Sequence, residues 1–253
     1  MKHIIRMTGP ALALLALAAC SGSAQRASGS ATRMPDAASR LHVAGVAEAA
    51  GQMDVAMAMY SATAQAEPDN AQAQATYADA NMRAGNLAGA HAILAAALAR
   101  HADDIALLRT AGRLSLVEGR ASEALSIFRR RSVAKPNDSQ ALDGQGLAQD
   151  MLGAHQEAQR AYSLALAADP DNVAASNNLA MSLLLSGHAA EAAARLDELR
   201  RRPDAPQRVQ INFALAEGVA GKCDAAQALL GGQSSSAQID SVLTELRLPA
   251  GSP

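Results

Sequence analysis

Histidines and cysteines are the residues here best suited to metal or nucleophilic chemistry, and their spacing does not assemble either. His3, His42, His91, His101, His155 and His188 are scattered, with no ligand spacing among them, so no metal site is read. Cys223 has no second thiol near it in sequence. No G-x-S-x-G, H-E-x-x-H, P-loop or dinucleotide-binding fingerprint occurs. The acidic pairs Asp103-Asp104 and Asp169/Asp171 flank turns and read as turn residues, not as catalytic carboxylates. The chain is therefore expected to be no enzyme and to need no cofactor. Function has to come from its surfaces.

One cysteine does sit in a chemical context. Residues 1–20 read MKHIIRMTGPALALLALAAC, with Lys2 and Arg6 ahead of a short apolar run from Ala11 to Ala19. That run is too short to span a bilayer and suits a secretory signal. Leu17-Ala18-Ala19-Cys20 resembles a bacterial lipobox. The resemblance implies a signal peptide over 1–19 and a lipid on Cys20, which becomes the mature N-terminus and anchors the chain to a membrane. An ordinary signal peptide with a coincident cysteine is the alternative. Ser21, standing where Asp would retain a lipoprotein at the inner membrane, implies an outer-membrane anchor facing the periplasm. Residues 20–36 form a lipidated cysteine and a Ser/Gly/Ala-rich linker, with an r.m.s. span of roughly 20–25 Å for a flexible chain of that length. With Cys20 so used, Cys223 reads as a half-buried small hydrophobe, a reactive thiol being the alternative.

The net charge of −2 presents no basic face, and no nucleic-acid partner is expected. The runs Arg129–Arg131 and Arg200–Arg202 fall near expected helix C-termini, where cations oppose the helix dipole. They read as solvated faces, with an acidic partner or anionic headgroups as the alternative.

The elements that position these residues announce themselves by repetition. Gly51, Gly85, Gly119, Gly153, Gly187 and Gly221 stand thirty-four residues apart. Five residues after each comes an alanine, from Ala56 to Ala226, and seven before each comes a small residue, from Ala44 to Ala214. Such self-similarity marks stacked helix pairs. The glycine ends the first helix of each pair (helix A) and the small residues let it approach the second (helix B). Pro68, Pro136 and Pro170 stop the second. The five aromatics fall on two repeat positions (Tyr60, Phe128 and Tyr162; Tyr77 and Phe213) and read as core.

This pattern resembles the tetratricopeptide repeat family over residues 37 to about 230, as units 37–70, 71–104, 105–138, 139–172, 173–206 and 207–240. The expected fold is all-α: a right-handed solenoid of about six helix-turn-helix repeats over 37–240, closed by a capping helix at 234–247. Two units depart from the pattern. Arg131 occupies a position where a small residue is wanted, and the sixth unit breaks down after Leu230. In the family the first helices of the pairs line a concave groove through positions 2, 5, 9, 12 and 13 of each unit. The resemblance thereby implies a partner-binding groove containing Arg109, Arg113, Leu147, Asp150, Met151, Asn177, Met181 and Leu184. The Lys and Asn set with which chaperone-binding relatives clamp a C-terminal carboxylate is missing, so that ligand is not expected.

The last third, Asn177–Gly231, resembles TadD-type lipoproteins of the Tad (Flp) pilus assembly system, through Arg208, Val209, Asn212, Ala214 and Leu215 followed by Gly221 and Ala226. That resemblance implies a non-catalytic protein-interaction scaffold in pilus assembly, with the secretin or other pilus components as protein partners. A general periplasmic adaptor lipoprotein, in β-barrel assembly or murein-hydrolase docking, is the alternative.

Overall fold

Asp36, Asn70, Asp104, Asp138 and Asn172 recur at the repeat period, and each starts a helix. Their side chains accept hydrogen bonds from backbone N–H groups two or three residues on, satisfying donors that a helix's first turn leaves without partners. The computed structural model describes residues 36–230. The expectations for the signal peptide, Cys20, the linker and the capping helix lie outside the described residues.

Among the described residues there are twelve helices and no strand, arranged as six pairs: α1 (Ala37–Ala49) with α2 (Met53–Ala66), α3 (Ala71–Arg83) with α4 (Leu87–Arg100), α5 (Ile105–Val117) with α6 (Ala121–Ala134), α7 (Ser139–Met151) with α8 (His155–Ala168), α9 (Val173–Leu185) with α10 (Ala189–Arg200), and α11 (Gln207–Val219) with α12 (Cys223–Leu230). Each pair packs on the next, and odd-numbered helices also touch one another across neighbouring pairs. The all-helical repeat solenoid is thus the fold.

The turn inside each pair is closed by the glycine ladder. At the end of α7, Gly153 adopts φ +74°, and Ala154 N–H donates to Gln149 C=O at 2.9 Å. This wraps the last carbonyls of the helix, and glycine takes the left-handed conformation at least cost because it has no Cβ.

The small residues do what close packing requires. A Cβ at Gly112 would lie 2.6 Å from the Phe128 ring, and so would one at Gly144 in the following unit. Phe128 is therefore gripped between two first helices, with 2% of its surface exposed. Tyr162 fills the equivalent place against Gly146 and is fully buried.

The buried hydroxyls of Tyr162 and Tyr60 obey a second rule. Tyr162 donates to Asp150 at 2.9 Å, and Tyr60 donates to Glu48 at 2.9 Å from the same pair of repeat positions. Where the second helix carries Phe128, Leu94 or Leu196, the first carries Leu116, Met82 or Leu184 instead. Polar faces polar and apolar faces apolar, as burial demands.

Arg131 corrects one expectation. It is not part of a solvated face: its side chain is 5% exposed, and its Nη2 lies 2.8 Å from Asp138 Oδ2. Helix α6 continues past it without interruption to Ala134. Arg130, by contrast, is exposed and bonds Asp103 at 2.7 Å. Arg200 lies 4.5 Å from the centre of the Phe213 ring, a cation–π contact. Cys223 is half-buried at the start of α12.

Candidate protein-binding groove

First helices α3, α5, α7 and α9 stand side by side, and between them opens a cavity of about 550 Å³. Its mouth is basic. Arg113 Nη1 lies 2.9 Å from Asp79 Oδ1, and Arg109 Nη2 lies 3.9 Å from Asp79 Oδ2, so two guanidinium groups share one carboxylate of the preceding unit. Leu116 and Leu147 supply apolar wall, and Phe128 with Gly144 form part of the floor. The absence of a side chain at Gly144, where the neighbouring units carry Thr110 and Asn178, leaves room there for the Phe128 ring.

Arg131 reaches the same cavity from α6, and Gln140 and Asp143 from α7. Burial lowers the Arg131 pKa; the Asp138 charge opposes that shift and the Arg109 charge adds to it. Burial pushes the Asp143 carboxyl up to about 6, against a hydrogen bond from Asn178 and the charge of Arg208.

The structure divides the residues that the sequence assigns to the groove. Arg109, Arg113 and Leu147 border the cavity. Met151 is half exposed and lies in a stripe with Val117 and Leu185, one residue per unit at the same repeat position. Asp150 turns inward: besides the Tyr162 hydroxyl, it accepts from Ser182 at 2.7 Å and meets His155 Nδ1 at 2.8 Å. Asn177 is buried and accepts from Asn212 of the next unit at 2.8 Å. Leu184 is 3% exposed in the core, and Met181 packs against that core. Arg109, Arg113 and Leu147 thus line the cavity and Met151 is exposed one helical turn beyond Leu147, while the other four are engaged in bonds or packing within the stack. Asp143, at position 5 of its unit, borders the cavity as the family's geometry implies, whereas Arg131 escaped the sequence reading as a groove residue. The signal for Arg131 was present, because a charge stands where the first, second, fourth and fifth units have Thr63, Ala97, Ala165 and Leu199.

A larger, more open depression of about 820 Å³ lies over α8 and the start of the fifth unit's second helix, edged by Gln159, Ser163, Leu164 and His188. Leu164 is its one large apolar residue, so it offers less for a partner's side chains to bury against.

Among the described residues no group of acidic, His or Cys side chains could hold a metal ion, and no helix is long and apolar enough to cross a membrane.

Comparison with known proteins gives the family. A tetratricopeptide repeat model matches residues 47–114, 82–147 and 151–211, together more than half of the chain. No curated protein sequence matches significantly. Among solved structures, PilW, a widely conserved type IV pilus biogenesis factor, is 18% identical with a TM-score of 0.68, over 83% of this chain and 97% of its own. PilF of Pseudomonas aeruginosa is 15% identical with a TM-score of 0.66, again over 83% and 97%. A thermophilic tetratricopeptide-repeat protein of Thermus thermophilus is 18% identical with a TM-score of 0.64, over 71% and 98%. At these identities the likeness is one of fold. With its six helix pairs and the matched repeats, the chain belongs to the tetratricopeptide repeat family, whose fold is a scaffold for protein–protein interaction.

Proposed function

We propose that this protein is a non-catalytic assembly factor, held at the outer membrane by lipid on Cys20, whose groove grips a segment of a pilus-assembly partner such as the secretin of a Tad-type system. The observation that carries the reading is the cavity between first helices, where Arg109 and Arg113 stand over apolar walls from Leu116 and Leu147. A segment laid there gains affinity from apolar side chains covering Leu147, Met151 and Leu116, while the arginines fix its register. The lipobox-like sequence ending at Cys20 supports the anchor. The fold shared with PilW and PilF, and the resemblance of residues 177–231 to TadD-type lipoproteins, support the pilus setting.

A clean deletion, scored on isolated envelopes for secretin multimers, general porins and surface pili, tests the proposal. Loss of multimers and pili with porins intact is the expected result. Depleted porins with normal pili would move the protein to general envelope assembly. An anchor-site variant, Cys20→Ala, is expected to release the protein from the membrane fraction; retention would remove the lipid from the account.

A further inference from the structure

Arg131 is costly where it sits. The second helices of the first, second, fourth and fifth units close the same interface with Thr63, Ala97, Ala165 or Leu199, so the fold does not need a cation there. A buried ion pair of this kind is worth little more than well-packed apolar groups in its place. The pair is also incompletely satisfied. Arg131 Nη2 approaches Asp138 Oδ2 at 2.8 Å and reaches Gln140 Oε1 at 3.3 Å, but Arg131 Nε and Nη1 are buried with no hydrogen-bond partner. Asp138 commits its other oxygen to capping α7 through Gln140 N–H and Ala141 N–H.

The same cavity gathers two more guanidinium groups. Arg109 and Arg113 share Asp79, so three arginines face the carboxylates of Asp79 and Asp138. Asp143 and Asp169 also border the cavity. Asp143, however, is bonded to Asn178 at 2.9 Å and is drawn by Arg208, while Asp169 is exposed at the end of α8. Arg109 Nε is buried without a partner as well. Arg109 and Arg131 press like charge on each other within one partly enclosed space, an arrangement that an anion between them relieves.

We propose that the Arg109–Arg113–Arg131 pocket is a carboxylate subsite, which takes an Asp or Glu side chain projecting from the segment that the groove binds. The proposal rests on the groove reading above and names the chemistry of its ligand. A side chain fits better than a chain terminus, because Val117, next in sequence to the cavity-lining Leu116, and Met151, one helical turn beyond the cavity-lining Leu147, are exposed apolar residues that a segment continuing beyond the pocket can cover. Two guanidinium groups at the mouth give a forked, charge-assisted grip, and Arg131 beneath supplies a poorly screened charge.

The test uses the full chain and matched sets of twelve-residue peptides, acetylated and amidated, with leucines on both sides of one central Glu or Gln. A third version carries the Gln and a free C-terminus. Fluorescence anisotropy reads the affinity of each. The Glu peptide is expected to bind at least about tenfold more tightly than the Gln peptide, the effect of one charge-assisted pair. Arg131→Ala with Asp138→Asn should abolish that preference. The double variant recreates the Ala165 and Asn172 combination of the next unit, so it keeps a helix cap and leaves no buried charge alone. Arg109→Gln, at the mouth, should reduce the preference without altering thermal stability. Equal binding of Glu and Gln peptides, or a preference that survives in the double variant, overturns the subsite while leaving the groove. Preference for the free C-terminus alone overturns the side-chain assignment. No binding by any peptide overturns the groove reading, and the subsite with it.

Discussion

At the scale of single residues, internal repetition turns the chain into its own control. Tyr162 and Tyr60 each come with a carboxylate, whereas Phe128 comes with Leu116. Removing the hydroxyl from the fully buried Tyr162 takes a donor from Asp150 without changing shape. Tyr162→Phe is therefore expected to cost about 1–2 kcal/mol in chemical denaturation, and an unchanged midpoint would show that the bond contributes nothing. Asp143 gives a pH signature. Burial raises its folded-state pKa from 3.8 to about 6, so its charged form is disfavoured in the fold. The cost is absent below the unfolded pKa, grows as pH rises between the two values, and is complete above the folded one. Asp143→Asn, which still accepts from Asn178, should therefore stabilise the protein at pH 7 by about 1–2 kcal/mol and have no effect near pH 3. Denaturant titrations at both values check the sign. Asp143 was not legible as a buried carboxylate, because its environment is made by Asn178 and Arg208, one and two units further on. Asp150 was legible as important but not as structural: its repeat position suggested a groove, and only the geometry shows Tyr162, Ser182 and His155 converging on it.

Elements were more legible than sites. The glycine ladder fixed the turns, and the helix pairs start where the thirty-four-residue period places them. This worked because helix ends depend on local chemistry, a cap at one side and a positive φ at the other. What stayed hidden was how one element borrows from the next. Asn172 caps α9 through Ala175 N–H at 3.0 Å and donates to Ser139 Oγ at 2.7 Å; Ser139 in turn donates to Ala165 C=O at 2.9 Å. Asn172 thus joins the start of α9 to α7 and the end of α8. Asn172→Ala is expected to cost about 1–2 kcal/mol, the upper part of the range for a lost cap, while Asn172→Asp, still a cap but no donor to Ser139, should cost less. Thermal melts of the two variants separate the cap from the link. If Asn172→Asp melts like the wild type, the link to Ser139 is immaterial; if it melts like Asn172→Ala, the cap contributes nothing.

For the whole molecule, stability is the sum of units and their nearest-neighbour interfaces. Excising residues 71–104 joins Asn70 to Ile105, leaving a cap in front of α5 as Asp104 did. The shortened chain should fold, with helical circular dichroism reduced in proportion and a lower melting temperature; wholesale unfolding would mean that the stack is not modular. The groove is also a property of the whole, since Asp79, Arg113 and Leu147 come from three different units. Sequence could nominate its positions from the family's geometry, but could not tell which side chains a neighbouring unit would cover. The central claim is that this surface, and not the core beneath it, binds the partner. The most direct test is co-purification of the secretin with the full chain, comparing wild type with Arg113→Glu plus Met151→Asp, two half-exposed positions whose replacement leaves the core intact. A variant with unchanged helical content that retains less than about a tenth of the secretin is the predicted result. Undiminished retention by that folded variant would contradict the groove.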